Sequence, residues 1–166
     1  AYGGPAAGTD IARHLYAGIE RADSMSVDAH KWLFVPKACG VLMVKDPGTL
    51  YTAFRHDASY MVEEEGYTHP VDGTMEYSRP FRSLKLWTAM RAHGAQAFRE
   101  AITRDIELAR ELAGLVRRAP SLELMLGEPE LSTVPFRRLP SHGDIDEHNM
   151  RLARALQEDG RVYVTS

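Results

Sequence analysis

Cysteine is nearly missing from this sequence: Cys39 stands alone among 166 residues. No internal disulfide can form, and a reducing cytoplasm is the expected compartment. Long apolar runs are missing as well. None approaches the roughly 20 residues that a bilayer-spanning helix needs, so no membrane span is expected. Neither sign of charge dominates, with 20 Lys and Arg against 23 Asp and Glu and a net charge of -3. Such a balance offers neither a basic footprint for nucleic acid nor a polybasic anchor for a membrane surface. Metal-ligand spacing is lacking too. His56, His69, His93, His142 and His148 do not combine with acidic partners at such a spacing. The nearest approach is His142, Asp144, Asp146 and His148, at a helix start where such residues usually cap and solvate, and no metal is expected. There is no initiating Met, and Ala1–Pro5 lacks the basic and apolar stretches of a signal peptide. The chain opens in a Gly-Pro turn and stops in Arg161–Ser166, which reads as a strand in progress. Both ends are therefore expected to be cut, since a terminal strand needs a pairing partner.

What is present is an ordinary globular balance, 44% hydrophobic and 26% charged, enough for one medium domain or parts of two. Thr9 or Asp10 can cap a helix over about 11–21, with Ile11, Leu15 and Ile19 on one face. Residues 24–27 read as a short strand and 40–44 (GVLMV) as an apolar run of buried-strand length. Residues 47–54 suggest a short helix. Residues 57–76, with Glu63, Glu64 and Glu65 in succession and poor periodicity, suggest a long exposed loop. Phe81, Leu84, Trp87 and Met90 repeat at a helical interval up to Gly94. Phe98, Ile102, Ile106, Ala109, Leu112 and Val116 form a second stripe ended by Pro120. By this periodicity Trp87 and Phe98 belong to the core. Residues 122–126 and 131–136 are strand candidates. Asp144 or Asp146 can cap a helix to about Glu158, with Ile145, Leu152, Ala153 and Leu156 inward; Gly160 ends it and a strand follows. The organisation expected is a first domain over 1–95 and a small α+β domain over 96–166.

The chemistry concentrates in Asp28-Ala29-His30-Lys31-Trp32, a polar cluster between two strands. Strand ends are rigid supports for reactive side chains in α/β enzymes. A lysine beside buried structure loses hydration, which favours the neutral amine that attacks carbonyls. An adjacent imidazole can donate to a phosphate, and Trp32 offers an apolar wall. Taken alone, these residues favour a solvated lysine at a strand edge with a packed tryptophan, since lysine is mostly exposed. Arg79 and Arg82 could hold a carboxylate or phosphate, or form a structural ion pair. Cys39 reads as a packed thiol rather than a nucleophile.

The wider context decides. Ala1-Tyr-Gly-Gly-Pro-Ala6, Ala22-Asp-Ser-Met-Ser-Val-Asp-Ala-His-Lys-Trp32, Cys39-Gly-Val-Leu-Met-Val44 and Ser78-Arg-Pro-Phe-Arg-Ser-Leu-Lys-Leu-Trp87 follow one another in order. The set resembles the group II decarboxylases that depend on pyridoxal 5'-phosphate (PLP). The resemblance implies an α/β, PLP-dependent transferase-like fold of the aspartate aminotransferase type (fold type I). Residues 1–95 would be the C-terminal part of its large PLP-binding domain and 96–166 most of its small domain. It implies Lys31 as the Schiff-base lysine and His30 as the histidine approaching the cofactor phosphate. It implies Tyr60 as the catalytic-loop tyrosine that supports protonation of the substrate carbon. Phenylalanine at that place is associated with oxidative aldehyde formation, so Tyr60 favours simple decarboxylation. The reaction expected is decarboxylation of an L-amino acid, its aromatic character suggested by Phe81–Trp87, in a cytoplasmic homodimer whose loop reaches the partner's site. The family's aspartate for the pyridinium nitrogen falls two residues before Ala1, and its ring-stacking histidine lies further upstream. A fragment lacking both is expected not to build a competent site alone. Two alternatives stand beside this reading: an inactive remnant serving as a dimerisation partner, and an aldehyde synthase on the same scaffold.

Overall fold

The computed structural model describes residues 1–55 and 69–165, in two compact units, Ala1–Glu100 and Ala101–Ser166. The sequence had suggested a division at 95/96.

In the first unit, strand β1 (Ser24–Asp28) pairs antiparallel with β2 (Gly40–Val44), in a register running from Ser24 opposite Val44 to Asp28 opposite Gly40. Helix α1 (Ala29–Trp32) follows β1 directly and is a single turn. The chain then reverses through Phe34, at φ 53, to return as β2. Beneath this hairpin Ala29, Val35 and Cys39 are buried, with Leu33, Val41, Leu86 and Ala89 packed on them. The 3-10 turn Gly4–Gly8 lies against β1, and a Cβ on Gly4 would come within 2.9 Å of Val27 Cγ2. Only glycine permits that close approach. Thr9 is buried there, its hydroxyl donating to the Ala6 carbonyl at 2.7 Å. Helix α2 (Gly48–Phe54) and the 3-10 turn Pro70–Gly73 complete the smaller elements.

Helix α3 (Arg82–Arg118) is interrupted at Gly94, whose φ 74 and ψ 160 are not helical. The break falls where the sequence closed one helical stripe and began another. Residues 101–118 belong to the second unit, where Ile102, Ile106, Ala109, Ala113 and Val116 form a buried stripe at helical spacing. Strand β3 (Leu122–Leu124) pairs antiparallel with β4 (Phe136–Arg138). Helix α4 (Ile145–Asp159) is capped by Asp144, which accepts the Glu147 amide, and stops at Gly160 with φ 76.

Five sequence expectations need correction. Residues 11–21 are not one helix but two 3-10 turns, Arg13–Tyr16 and Ile19–Arg21, separated by Gly18 at φ 93. Of that stretch only Ala12 is buried, so the Ile11–Leu15–Ile19 stripe has no buried surface to dock on. Trp87 is 63% exposed, whereas Phe98 is buried as expected. The face of α3 that packs on the hairpin core carries Leu86 and Ala89, a register rotated away from the bulkier apolar positions. The later strand candidate moves from 131–136 to Phe136–Arg138. Finally, residues 161–165 form no strand, and among the described residues nothing pairs with them as a ladder. The run GVLMV is a strand as expected, but Leu42 and Met43 are exposed rather than buried.

Candidate active site

β1 delivers its last residue, Asp28, to the base of α1, and the next three positions bring His30 and Lys31 onto one turn. The amide of Asp28 donates to the Ala1 carbonyl at 3.2 Å, tying this strand end to the start of the chain. Asp28 occupies the N-cap position of α1, yet its side chain makes no capping bond. Its carboxylate turns instead to Lys31, with Oδ2 2.8 Å from Nζ. The pair is partly open to solvent, with side chains 26% and 51% exposed for Asp28 and Lys31. The residues of the cluster alone favoured a solvated lysine at a strand edge over one stripped of its hydration by burial. The structure shows a half-exposed amine held by a counter-ion. The hydrogen bond from Lys31 holds the Asp28 carboxyl below the usual carboxylate range, aided by the charges of Lys31 and His30 and opposed by desolvation.

His30 is fixed from the neighbouring strand end. Its backbone amide donates to the Cys39 carbonyl at 3.2 Å, and the Cys39 amide donates back to Nδ1 at 3.2 Å. Nδ1 also lies 3.0 Å from the Cys39 carbonyl. Nδ1 is thus engaged by the Cys39 backbone, and in the tautomer in which it accepts the Cys39 amide the ring proton is on Nε2, where it can be offered to an anion. Cys39 itself is 2% exposed, its thiol 3.6 Å from the Arg82 carbonyl, which makes it a packed thiol. Trp32 is buried and its ring lies 4.9 Å from that of Tyr2, closing one side of the turn with aromatic surface.

Tyr60 and the Glu63–Glu65 run lie outside the described residues. Arg82 pairs with Glu76 at 2.8 Å, the structural ion pair rather than an anion site. Asp144 is spent on capping α4. Among the described residues no three His, Cys, Asp or Glu side chains gather as metal ligands. Asp28 was named in the polar cluster, but reading the sequence gave it no role. Its signal was there: Asp and Lys three apart at a helix start can meet on one face.

An amine and an imidazole on one turn, near the Tyr2–Trp32 aromatic pair, are a donor set suited to a small group bearing an aldehyde and a phosphate. The model of the pyridoxal-dependent decarboxylase conserved domain matches residues 1–139. The chain belongs to that family. Tyrosine decarboxylase 2 of Arabidopsis thaliana is 34% identical over 172 residues, covering 99% of this chain and 31% of that protein. A phenylacetaldehyde synthase of a Rosa hybrid cultivar is 31% identical, covering 99% of this chain and 35% of that protein. Among solved structures, Oryza sativa TDC with PLP and tryptamine superposes with a TM-score of 0.90 at 31% identity, covering 99% of this chain and 36% of that one. The fold is therefore that of part of a PLP-dependent decarboxylase, of fold type I, and the chain spans about a third of the length of these relatives. PLP is the cofactor of the family, and His30 and Lys31 are the residues here that fit it.

Proposed function

We propose that this chain carries the cofactor-anchoring segment of a PLP-dependent carboxy-lyase that converts an aromatic L-amino acid to its amine and carbon dioxide. The observation that carries the reading is the turn between β1 and β2, which places Lys31, paired with Asp28, and His30, held by Cys39, at successive positions. Lys31 offers the covalent anchor for the cofactor aldehyde, and its position at a strand end restricts where that anchor can swing. His30, held by Cys39, donates from Nε2 to the phosphate. When bound, PLP supplies the electron sink for the carbon that loses carbon dioxide. Tyr60 would support delivery of a proton to the substrate α-carbon from the catalytic loop to which the resemblance assigns it. The enzyme would act as a cytoplasmic homodimer, with that loop reaching the partner's site; the single cysteine agrees with a reducing compartment. The aromatic preference rests on the named relatives and on Phe81–Trp87.

Adding PLP to the purified chain, reducing with borohydride and mapping the product by mass spectrometry tests the reading. Label concentrated at Lys31 and lost in Lys31→Ala is the expected result. Label scattered over Lys37, Lys45 and Lys85, even with the relatives' upstream segment supplied, would overturn it.

The phenylacetaldehyde synthase relative favours a second reading, aldehyde formation on the same scaffold. Tyr60 separates the two. In a preparation active toward an aromatic amino acid, amine should be the main product, and Tyr60→Phe should raise aldehyde and peroxide. Unchanged amine-only output from Tyr60→Phe would remove Tyr60 from its assigned role. An inactive remnant would show no turnover even with the upstream segment supplied.

A further inference from the structure

Asp28 stands where a carboxylate would ordinarily cap a helix, and it does not cap. Its Oδ2 is 2.8 Å from Lys31 Nζ, three residues along the same turn. We propose that Asp28 is a positioning residue that holds the free Lys31 amine in an ion pair until an aldehyde-bearing cofactor draws it away. This rests on the reading of Lys31 as the cofactor lysine.

The chemistry requires such a hand-over. To bond the aldehyde, the ammonium must release one proton to solvent. The nitrogen lone pair then forms the C=N bond to the aldehyde carbon, and the aldehyde oxygen leaves as water. The positive charge that Asp28 attracts is diminished by that sequence, so the ion pair and the covalent anchor compete for one nitrogen. A carboxylate at this distance keeps the idle amine in place and slows its reaction with adventitious electrophiles. The anchor strand makes the geometry durable: the Asp28 amide is bonded to the Ala1 carbonyl, and Asp28 faces Gly40 across the hairpin.

Few other charges face the pair. His30 lies on the same turn and the Ala1 amine nearby, both weakly felt by Asp28. The segments Gly4–Gly8 and β2 carry no ionisable side chain. On α3, Arg82 is engaged with Glu76 and Lys85 donates to the Pro36 carbonyl. Asp28 is thus the carboxylate that sets the charge environment of Lys31 among the described residues.

Trace acetylation of the purified chain with acetic anhydride, without cofactor, at fixed pH and low salt, reads the reactivity of each lysine. Exposed Lys45 serves as the internal reference. In Asp28→Asn, Lys31 should react about two- to fivefold faster relative to Lys45 than in the wild type, the range expected of a partly exposed ion pair. Asp28→Glu should return the ratio toward the wild-type value. Added salt should speed Lys31 in the wild type and leave it unchanged in Asp28→Asn. An equal Lys31 ratio in wild type and a folded Asp28→Asn, judged by circular dichroism, would overturn the proposal. Should Asp28→Asn fail to fold, the wild-type salt response decides, and its absence would overturn the proposal as well. The cofactor reading fails separately, when PLP and borohydride leave Lys31 of the wild type unlabelled whatever its acetylation rate.

Discussion

The Cys39 amide donates to His30 Nδ1 at 3.2 Å while the His30 amide donates to the Cys39 carbonyl at 3.2 Å, so one backbone residue holds both ends of the histidine. The ring is oriented through Nδ1 before any ligand arrives. Hydrogen bonds to charged groups contribute about 1.5–3 kcal/mol. His30→Ala should therefore weaken retention of PLP by about ten- to a hundredfold, measured by equilibrium dialysis. His30→Gln, whose amide nitrogen can reach a similar place, should recover part of the loss. Equal retention by wild type and His30→Ala would show that the imidazole does not touch the cofactor.

The second unit is held by one face of α3. Ile106 is fully buried there and Leu115 is exposed on the same helix. Truncating a buried isoleucine removes packing and leaves a cavity, at a cost of about 2–5 kcal/mol. Ile106→Ala should lower the unfolding free energy by that amount in urea denaturation, whereas Leu115→Ala should change it by less than about 0.5 kcal/mol. Similar losses at both positions would mean that this face has been wrongly assigned.

Asn149 serves as a substitute strand partner for β4. Its Oδ1 accepts the Arg138 amide at 2.8 Å, and its Nδ2 donates to the Arg138 carbonyl at 2.9 Å and to the Ile145 carbonyl at 2.8 Å. Asn149→Ala removes all three bonds and should cost about 1–3 kcal/mol. Asn149→Asp keeps the acceptor and loses the donor, so it should fall between the two in the same denaturation experiment. A loss in Asn149→Ala no larger than that of an exposed α4 position such as Arg154→Ala would remove this role from the amide.

These residues also show what the sequence could disclose. Helix α4 was legible because its signals are local: an Asp144 cap at one end and Gly160 at the other. The break at Gly94 and most of the stripe from Ile102 to Val116 were legible for the same reason, but Leu112, expected in that stripe, is exposed and Ala113 is buried in its place. Trp87 was not, because periodicity finds an apolar face without telling which face meets a neighbour; Leu86 and Ala89 meet it. The helix assigned to 11–21 failed because its apolar spacing was real but had no surface to bury against. At the site, the ordered set of motifs showed the family to which the chain belongs. The grip of Cys39 on His30 was not legible, because it is made by backbone atoms whose placement depends on the return of β2.

Glu76 and Arg82 fix the entry to α3 through a 2.8 Å ion pair, and the Arg82 hydrogen bond holds the Glu76 carboxyl below its ordinary range. A carboxyl depressed in the folded state binds its proton less readily there than in the unfolded chain. Its stabilising contribution is therefore fully present above the unfolded value of about 4.3 and is lost as pH falls through the lower folded value. Thermal unfolding of the wild type and Glu76→Gln should differ by a small amount at neutral pH, since the pair is exposed and screened. That difference should shrink below about pH 4.3, where the unfolded chain takes up the proton first. Added salt should shrink it at neutral pH too, because exposed charges are screened within about 10 Å at 0.1 M. A difference that stayed constant from pH 7 to pH 3 would show that Glu76→Gln acts through packing, and that the ion pair contributes nothing to the stability of this segment.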